Sequence, residues 1–236
     1  GTNDQVYLMS TEDWKNVFAN LKDQGAPETA FAGFRKFMTQ DSMTMKEAID
    51  FIKVKSEDKD EILKMLFGEA KYEKFNFLPV TRFILPVNKA NAVKSGTIEA
   101  KDAALAVDKI TIEYKSNSMF KNNLILLDIL ANFDWNRPIN FSTGGIYDPE
   151  NIFYLGDYLQ FDGFSYRLVP INTPEREDGE MGRVDANSLY NIVKNYRWGN
   201  FKDLSVHFDE TCTQNIVSYR SSASRAAEAL ALSGQK

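Results

Sequence analysis

Residues 75–87 read FNFLPVTRFILPV. The segment is β-branched and aromatic, a composition that favours extended backbone. Pro79 and Pro86 interrupt it, and each removes a donor from any ladder it joins. Both prolines therefore belong at sheet edges or strand ends. The segment predicts short, proline-bounded strands, and a sheet of such pieces needs helices to shield it.

The flanking sequence supplies those helices. STEDWKNVFANLKDQG opens on Ser and Thr, carries acids in its first turn and stops at Gly25. Trp14, Val17, Phe18 and Leu21 recur at helical spacing and make one apolar stripe. A second helix is expected after Pro27, with Phe31, Phe34 and Met38 on one face. In TMKEAIDFI, Thr44 and Glu47 have the spacing of a capping box, each side chain satisfying a free backbone N–H. FIKVK is expected to continue as a strand, and SEDKDEILKMLFG to form a short helix ending at Gly68.

Beyond the proline-bounded segment, NKANAVKSGTIEAKDAALAV predicts helical turns on either side of a Ser-Gly break. DKITIEY alternates, with Ile110, Ile112 and Tyr114 on one face. NNLILLDILANF is apolar on most sides and predicts a nearly buried helix, in which Asp128 must be hydrogen-bonded or face outward. RPINFST is the next strand, followed by Gly144-Gly145, an aromatic-rich helix near 150–160 and the strand FSYRLVPI. NTPEREDGEMGR reads as a charged surface loop. VDANSLYNIVKNYRWG predicts a helix with Leu189, Ile192, Val193 and Tyr196 inward and Trp198 at the core edge. The C-terminal stretch is one long helix with an Ala/Leu seam. The fold class is α/β: a mixed sheet flanked by helices, with a helical N-terminal part (1–70), an α/β core (71–205) and a C-terminal helix (206–236).

Composition narrows the function. The net charge is -5 and basic residues are interleaved with acids, so nucleic acid is not an expected partner. No apolar run approaches the ~20 residues of a membrane span, and no leader is visible at the start. Gly1 reads as an expression scar, so the chain is expected to be a piece of a longer protein. One cysteine, Cys212, and one histidine, His207, leave no intrachain disulfide and no Cys/His zinc set. No cofactor is expected. His207, in LSVHFDE, reads as a surface or half-buried strand-end residue rather than a general base. The high aromatic share, 17 Phe and 10 Tyr, reads first as core and second as an aromatic-lined groove.

The sharpest local candidate is FSTGG with the preceding DWNRP. Ligands of open α/β sheets sit beyond the carboxyl ends of strands. Ser142 and Thr143 offer hydroxyls, Gly144 and Gly145 let backbone N–H groups approach an anion, and Arg137 can pair a phosphate or carboxylate. Tyr147 and Asp148 would complete the lining. Neither G-x-x-x-x-G-K-[ST] nor G-x-G-x-x-G is present, and a structural turn explains the same glycines. Asp157 and Asp162 raise a two-carboxylate reading, against which Asp162-Gly163 reads as a tight turn.

Several blocks together carry a resemblance: LDILANFDWNRPINFSTGG, YLGDYLQFDGFSYRLVPI, MGRVDANSLYNIVKNYRWGN and SYRSSASRAAEALALSGQK, with FLPVTRFILPVNKANAVKSGTI upstream. Their order and spacing resemble the Bacteroidetes family DUF2723, related to protein O-mannosyltransferase-like glycosyltransferases, well over 72–232 and more loosely before. The resemblance implies a parent with an N-terminal bundle of membrane helices and a soluble extracytoplasmic tail that runs on into helical repeats. This chain would be part of that tail, partnered by the membrane helices of the same polypeptide. The family's catalytic acids would lie in the membrane part, so no catalytic residue is carried over. Three readings follow: an accessory domain that orients an acceptor polypeptide or glycan, an independent glycan hydrolase using Asp157 and Asp162, and a structural spacer.

Overall fold

The computed structural model describes residues 5–23, 35, 38–55, 57–70, 72–173, 179–197, 199–200, 203 and 205–234. The expected helical face of Phe31 and Phe34, the Gly25 stop and Trp198 lie outside the described residues. The chain is α/β, as its pattern predicts, but among the described residues the strands form three small sheets rather than one. The chain divides into two units, Gly1–Asn88 with Asp108–Asp134, and Lys89–Val107 with Trp135–Lys236.

The first unit holds two mixed sheets. In one, β1 (Gln5–Leu8) lies between β3 (Asn76–Leu78), parallel to it, and β6 (Ser118–Phe120), antiparallel. In the other, β4 (Arg82–Pro86) lies between β2 (Met43–Thr44), parallel, and β5 (Lys109–Glu113), antiparallel. The prolines stand at strand ends: Pro86 closes β4 and Pro79 follows β3. Alternation in β5 works as its pattern requires, with Ile110, Ile112 and Tyr114 buried.

Helix α1 (Thr11–Asp23) starts at a reciprocal cap. The Ser10 N–H and hydroxyl donate to Asp13 at 2.7 and 2.6 Å, and the Asp13 N–H returns to Ser10 Oγ at 3.1 Å. Its stripe delivers Trp14, fully buried, into a cluster with Ile62, Leu63 and Phe77, flanked by Val17, Phe18 and Leu21. Helix α2 (Met45–Lys53) carries the expected capping box: the Thr44 N–H and hydroxyl donate to Glu47 at 2.7 and 2.9 Å. Those two donors hold the Glu47 carboxyl below its ordinary range. FIKVK does not turn into a strand. The helix runs to Lys53, because the Lys59 ammonium of α3 (Glu57–Phe67) donates to the carbonyls of Phe51, Ile52 and Val54 and so satisfies its C-terminal end.

Helix α5 (Lys121–Ala131) corrects another expectation. It buries Asn123, Leu127 and Leu130, but Ile125 and Ile129 are exposed, so it is half-covered rather than nearly buried. Asp128 faces outward and meets Lys53 at 3.7 Å, which is why an apolar helix tolerates it.

The second unit contains α4 (Lys89–Lys94), a 3-10 turn at Ala100–Leu105 and an antiparallel sheet ordered β7 (Asn140–Ser142), β9 (Ser165–Leu168), β8 (Leu159–Phe161). No α-helix forms near 150–160. Two short 3-10 turns, Pro149–Ile152 and Gly156–Tyr158, replace it, because Phe153 and Tyr154 both adopt positive φ (53° and 56°) between them. Asp162-Gly163 is the tight turn its composition predicts: the Asp162 N–H donates to the Ser165 carbonyl, and Gly163 has φ of 88°. A Cβ on Gly163 would collide with the Tyr196 hydroxyl.

Helices α6 (Ala186–Lys194) and α7 (Glu210–Leu232) pack against each other. Leu189 is buried, while Ile192, Val193 and Tyr196 are half-buried. Residues Ser222, Arg225 and Ala226 of α7 reach the β7–β9–β8 sheet: Ser222 Oγ donates to the Gly163 carbonyl at 2.9 Å, and Arg225 donates to the Tyr166 hydroxyl and the Met181 carbonyl, both at 3.1 Å.

Candidate functional site

Where a parallel pair of strands ends, backbone N–H groups of the following helix and open space converge, and that is where α/β proteins bind ligands. The first unit has two such places. Strands β2 and β4 end beside a cleft of about 490 Å³, and strand β1 ends beside one of about 380 Å³. Each is preceded by a capping box that closes the strand and starts a helix, Thr44/Glu47 for α2 and Ser10/Asp13 for α1.

The β2/β4 cleft is built from three pieces. Thr44 to Lys46 supply the turn into α2, 85–88 supply the end of β4, and 130–134 supply the end of α5. Its floor is aliphatic and aromatic, from Met45, Leu85, Val87, Leu130 and Phe133. Its rim is polar. The Asn88 side-chain amide donates to Asp134 Oδ1 at 3.1 Å, the Asn132 side-chain amide donates to the Asp128 carbonyl at 2.8 Å, and Lys46 also lines the cleft. The Thr44 hydroxyl is committed to Glu47.

A third cleft of about 370 Å³ lies at the carboxyl end of α2 and includes Lys53, Lys55 and Lys59. Lys59 is buried, its ammonium 4.8 Å from the centre of the Phe51 ring and engaged with the three carbonyls already described. Burial pushes Lys59 down to about 8, partly opposed by Asp60. The folded form therefore sheds its proton while the unfolded chain, near 10.5, still holds it. Stability contributed at this site rises as pH goes from about 8 towards 10.5, and the penalty of the buried charge is fully present below 8. Urea melts of wild type and Lys59→Met between pH 7 and 10 are expected to show a steeper rise for wild type; parallel curves would refute the assignment.

The loop anticipated as a ligand cradle has a different character. Ser142 and Gly145 close a turn, the Gly145 N–H donating to the Ser142 carbonyl at 3.0 Å. Asp148 Oδ1 accepts the Glu150 N–H at 3.0 Å and so caps the first 3-10 turn. Arg137, Ser142, Gly144 and Asp148 are exposed, Tyr147 is 85% exposed, and Thr143 and Gly145 are half-buried. None of them lines the three clefts above. The preceding ANFD of the same sequence block does line a cleft. Asp162 is engaged by Arg167, with Nε and Nη2 at 2.7 and 3.0 Å from its two oxygens, and by Gln160. That fork consumes the carboxylate a two-acid hydrolase would need, so the Asp157/Asp162 chemistry has no support in the geometry. His207 is exposed on the loop before α7. Among the described residues no group of three or more His, Cys, Asp and Glu side chains is arranged to hold a metal.

These features define an α/β protein with clefts at the carboxyl ends of the β2/β4 pair, of β1 and of α2. The family whose pattern matches the chain is TMEM260-associated domain 2, over residues 1–188, and the chain belongs to it. Neither the comparison with curated proteins nor that with solved structures gave a match. The family corrects the expected DUF2723 assignment, and with it the Bacteroidetes and glycosyltransferase-like reading. The match starts at residue 1, where that resemblance was loose, and ends inside MGRVDANSLYNIVKNYRWGN. Blocks that record turns and packing, such as DGFSYRLVPI, carry fold information but no chemistry, and their order alone pointed to the wrong family. By its name the domain accompanies a transmembrane protein. Among the described residues no helix is long and apolar enough to cross a membrane.

Proposed function

We propose that this chain is a non-catalytic recognition domain of a TMEM260-type membrane protein, placed on its extracytoplasmic side, and that the β2/β4 cleft receives an extended polypeptide segment. The observation that carries this is the pairing of an aliphatic floor with an amide-carboxylate rim in a cleft of about 490 Å³. An extended chain presents alternating N–H and C=O groups and side chains at a period of two. Asn88, Asn132 and Asp134 match the former, and the floor matches one apolar side chain of the latter. The Thr44 hydroxyl in this lining is tied up in the α2 capping box with Glu47, which favours binding over turnover.

The test is selection of a random peptide library on the 236-residue chain, with Val87→Arg as the control. Val87 is half-buried at the floor, so the guanidinium can reach solvent while obstructing the cleft. Enriched peptides should share one apolar position and bind Val87→Arg at least ~10-fold more weakly, a loss of about 1.4 kcal/mol. Peptides that bind both proteins equally would refute the assignment.

A further inference from the structure

The second carboxyl-end cleft, beside β1, has a different lining, and that lining names a different ligand. One wall is α1, where Asp13, Asn16 and Asn20 lie on one face at helical spacing. Asn117, on the loop before β6, lines the same cleft. The apolar wall is partly aromatic, Tyr7 against Phe67 with ring centroids 5.1 Å apart. Among the described residues no lysine, arginine or histidine lines this cleft.

From this we infer a binding site for a neutral pyranose, either a free hexose or the terminal unit of a glycan, with Asn16, Asn20 and Asn117 as its hydrogen-bonding groups and Tyr7 and Phe67 as its apolar wall. Each amide both donates and accepts, which is what a ring of hydroxyls requires. The C–H face of a pyranose is apolar and lies well on an aromatic wall. Phosphorylated or carboxylated ligands find no cation among the described lining residues, and the Asp13 carboxylate repels them. The cleft, about 380 Å³, is within the size range of small-molecule sites. Tyr7 and Phe67 also pack on Phe75, with ring centroids 5.6 and 4.3 Å away, which holds the aromatic side of the cleft in place.

The experiment is a titration of the isotope-labelled 236-residue chain with glucose, mannose, galactose and N-acetylglucosamine, their methyl glycosides, and glucuronate and glucose 6-phosphate as charged controls. Saturable shifts of the Asn16, Asn20 and Asn117 side-chain amides are expected with at least one neutral sugar. A methyl glycoside that binds as well as the free sugar identifies a glycan end; a preference for the reducing sugar identifies a free hexose. The double variant Asn16→Ala/Asn20→Ala and the separate variant Asn117→Ala alter exposed side chains, so both should melt like wild type and bind at least ~10-fold more weakly. Absence of saturable shifts with every neutral sugar, unchanged affinity in both variants, or tighter binding of the charged sugars would each overturn the site. Peptide binding at the β2/β4 cleft is independent of all three outcomes.

Discussion

Trp14→Ala is expected to cost the first unit about 3–5 kcal/mol, the range for deleting a large aromatic side chain from a packed core. Trp14 is fully buried, meets Phe77 edge-on with centroids 5.3 Å apart, and donates its indole N–H to the Pro79 carbonyl at 3.2 Å. The substitution opens a cavity and leaves that carbonyl without its indole donor. It also unpins Pro79, which separates β3 from β4, so both mixed sheets of the unit lose a fixed point. Natural domains hold only about 5–15 kcal/mol in all. A urea melt of the variant should therefore show early loss of the first unit's structure, and a loss below about 1 kcal/mol would contradict the packing described here.

Arg225→Ala should have the next largest effect, about 2–4 kcal/mol, in the second unit. The guanidinium carbon lies 4.0 Å from the centre of the Phe161 ring, and its nitrogens bond Tyr166 and Met181. Burial holds the Tyr166 hydroxyl above its ordinary range and Arg225 pulls it back, so removing the arginine leaves a buried phenol without its donor. The ion pair with Glu180 at 3.2 Å contributes little, because Glu180 is half-exposed. Accordingly Glu180→Gln should cost under about 1 kcal/mol, and Arg225→Lys should recover only part of the loss, since an ammonium cannot reproduce the fork. A melt in which Arg225→Ala matches wild type would show that α7 is not held to the β7–β9–β8 sheet in the way described.

Much of this was legible residue by residue. The α1 stripe, the Thr44/Glu47 box, the alternation of β5 and the Gly163 turn each follow from local rules, and local rules survive any tertiary context. What stayed hidden depended on pairing. Strand β1 is four residues long and β2 is two, too short to show a period, yet β1 is the middle strand of its sheet. Without them neither parallel pair can be seen, and the carboxyl-end rule has nothing to act on. The β2/β4 cleft also needs Asn88 and Asp134, 46 positions apart. A glycine pair after a strand is visible in sequence, and it points to 142–148. The signal that could have led to the cleft was the capping box itself, since Thr44 closes a strand as it starts a helix. The helix expected near 150–160 failed for a related reason: nothing in DPENIFYLGDY announces that Phe153 and Tyr154 take left-handed backbone.

Recognition at the ends of β2 and β4 is the central claim, and backbone amide NMR of the chain with a library-selected peptide tests it most directly. The account predicts shifts confined to 44–46, 85–88 and 130–134, with 137–148 silent. Shifts centred on Arg137, Ser142, Thr143 and Tyr147, with the cleft residues unmoved, would contradict it.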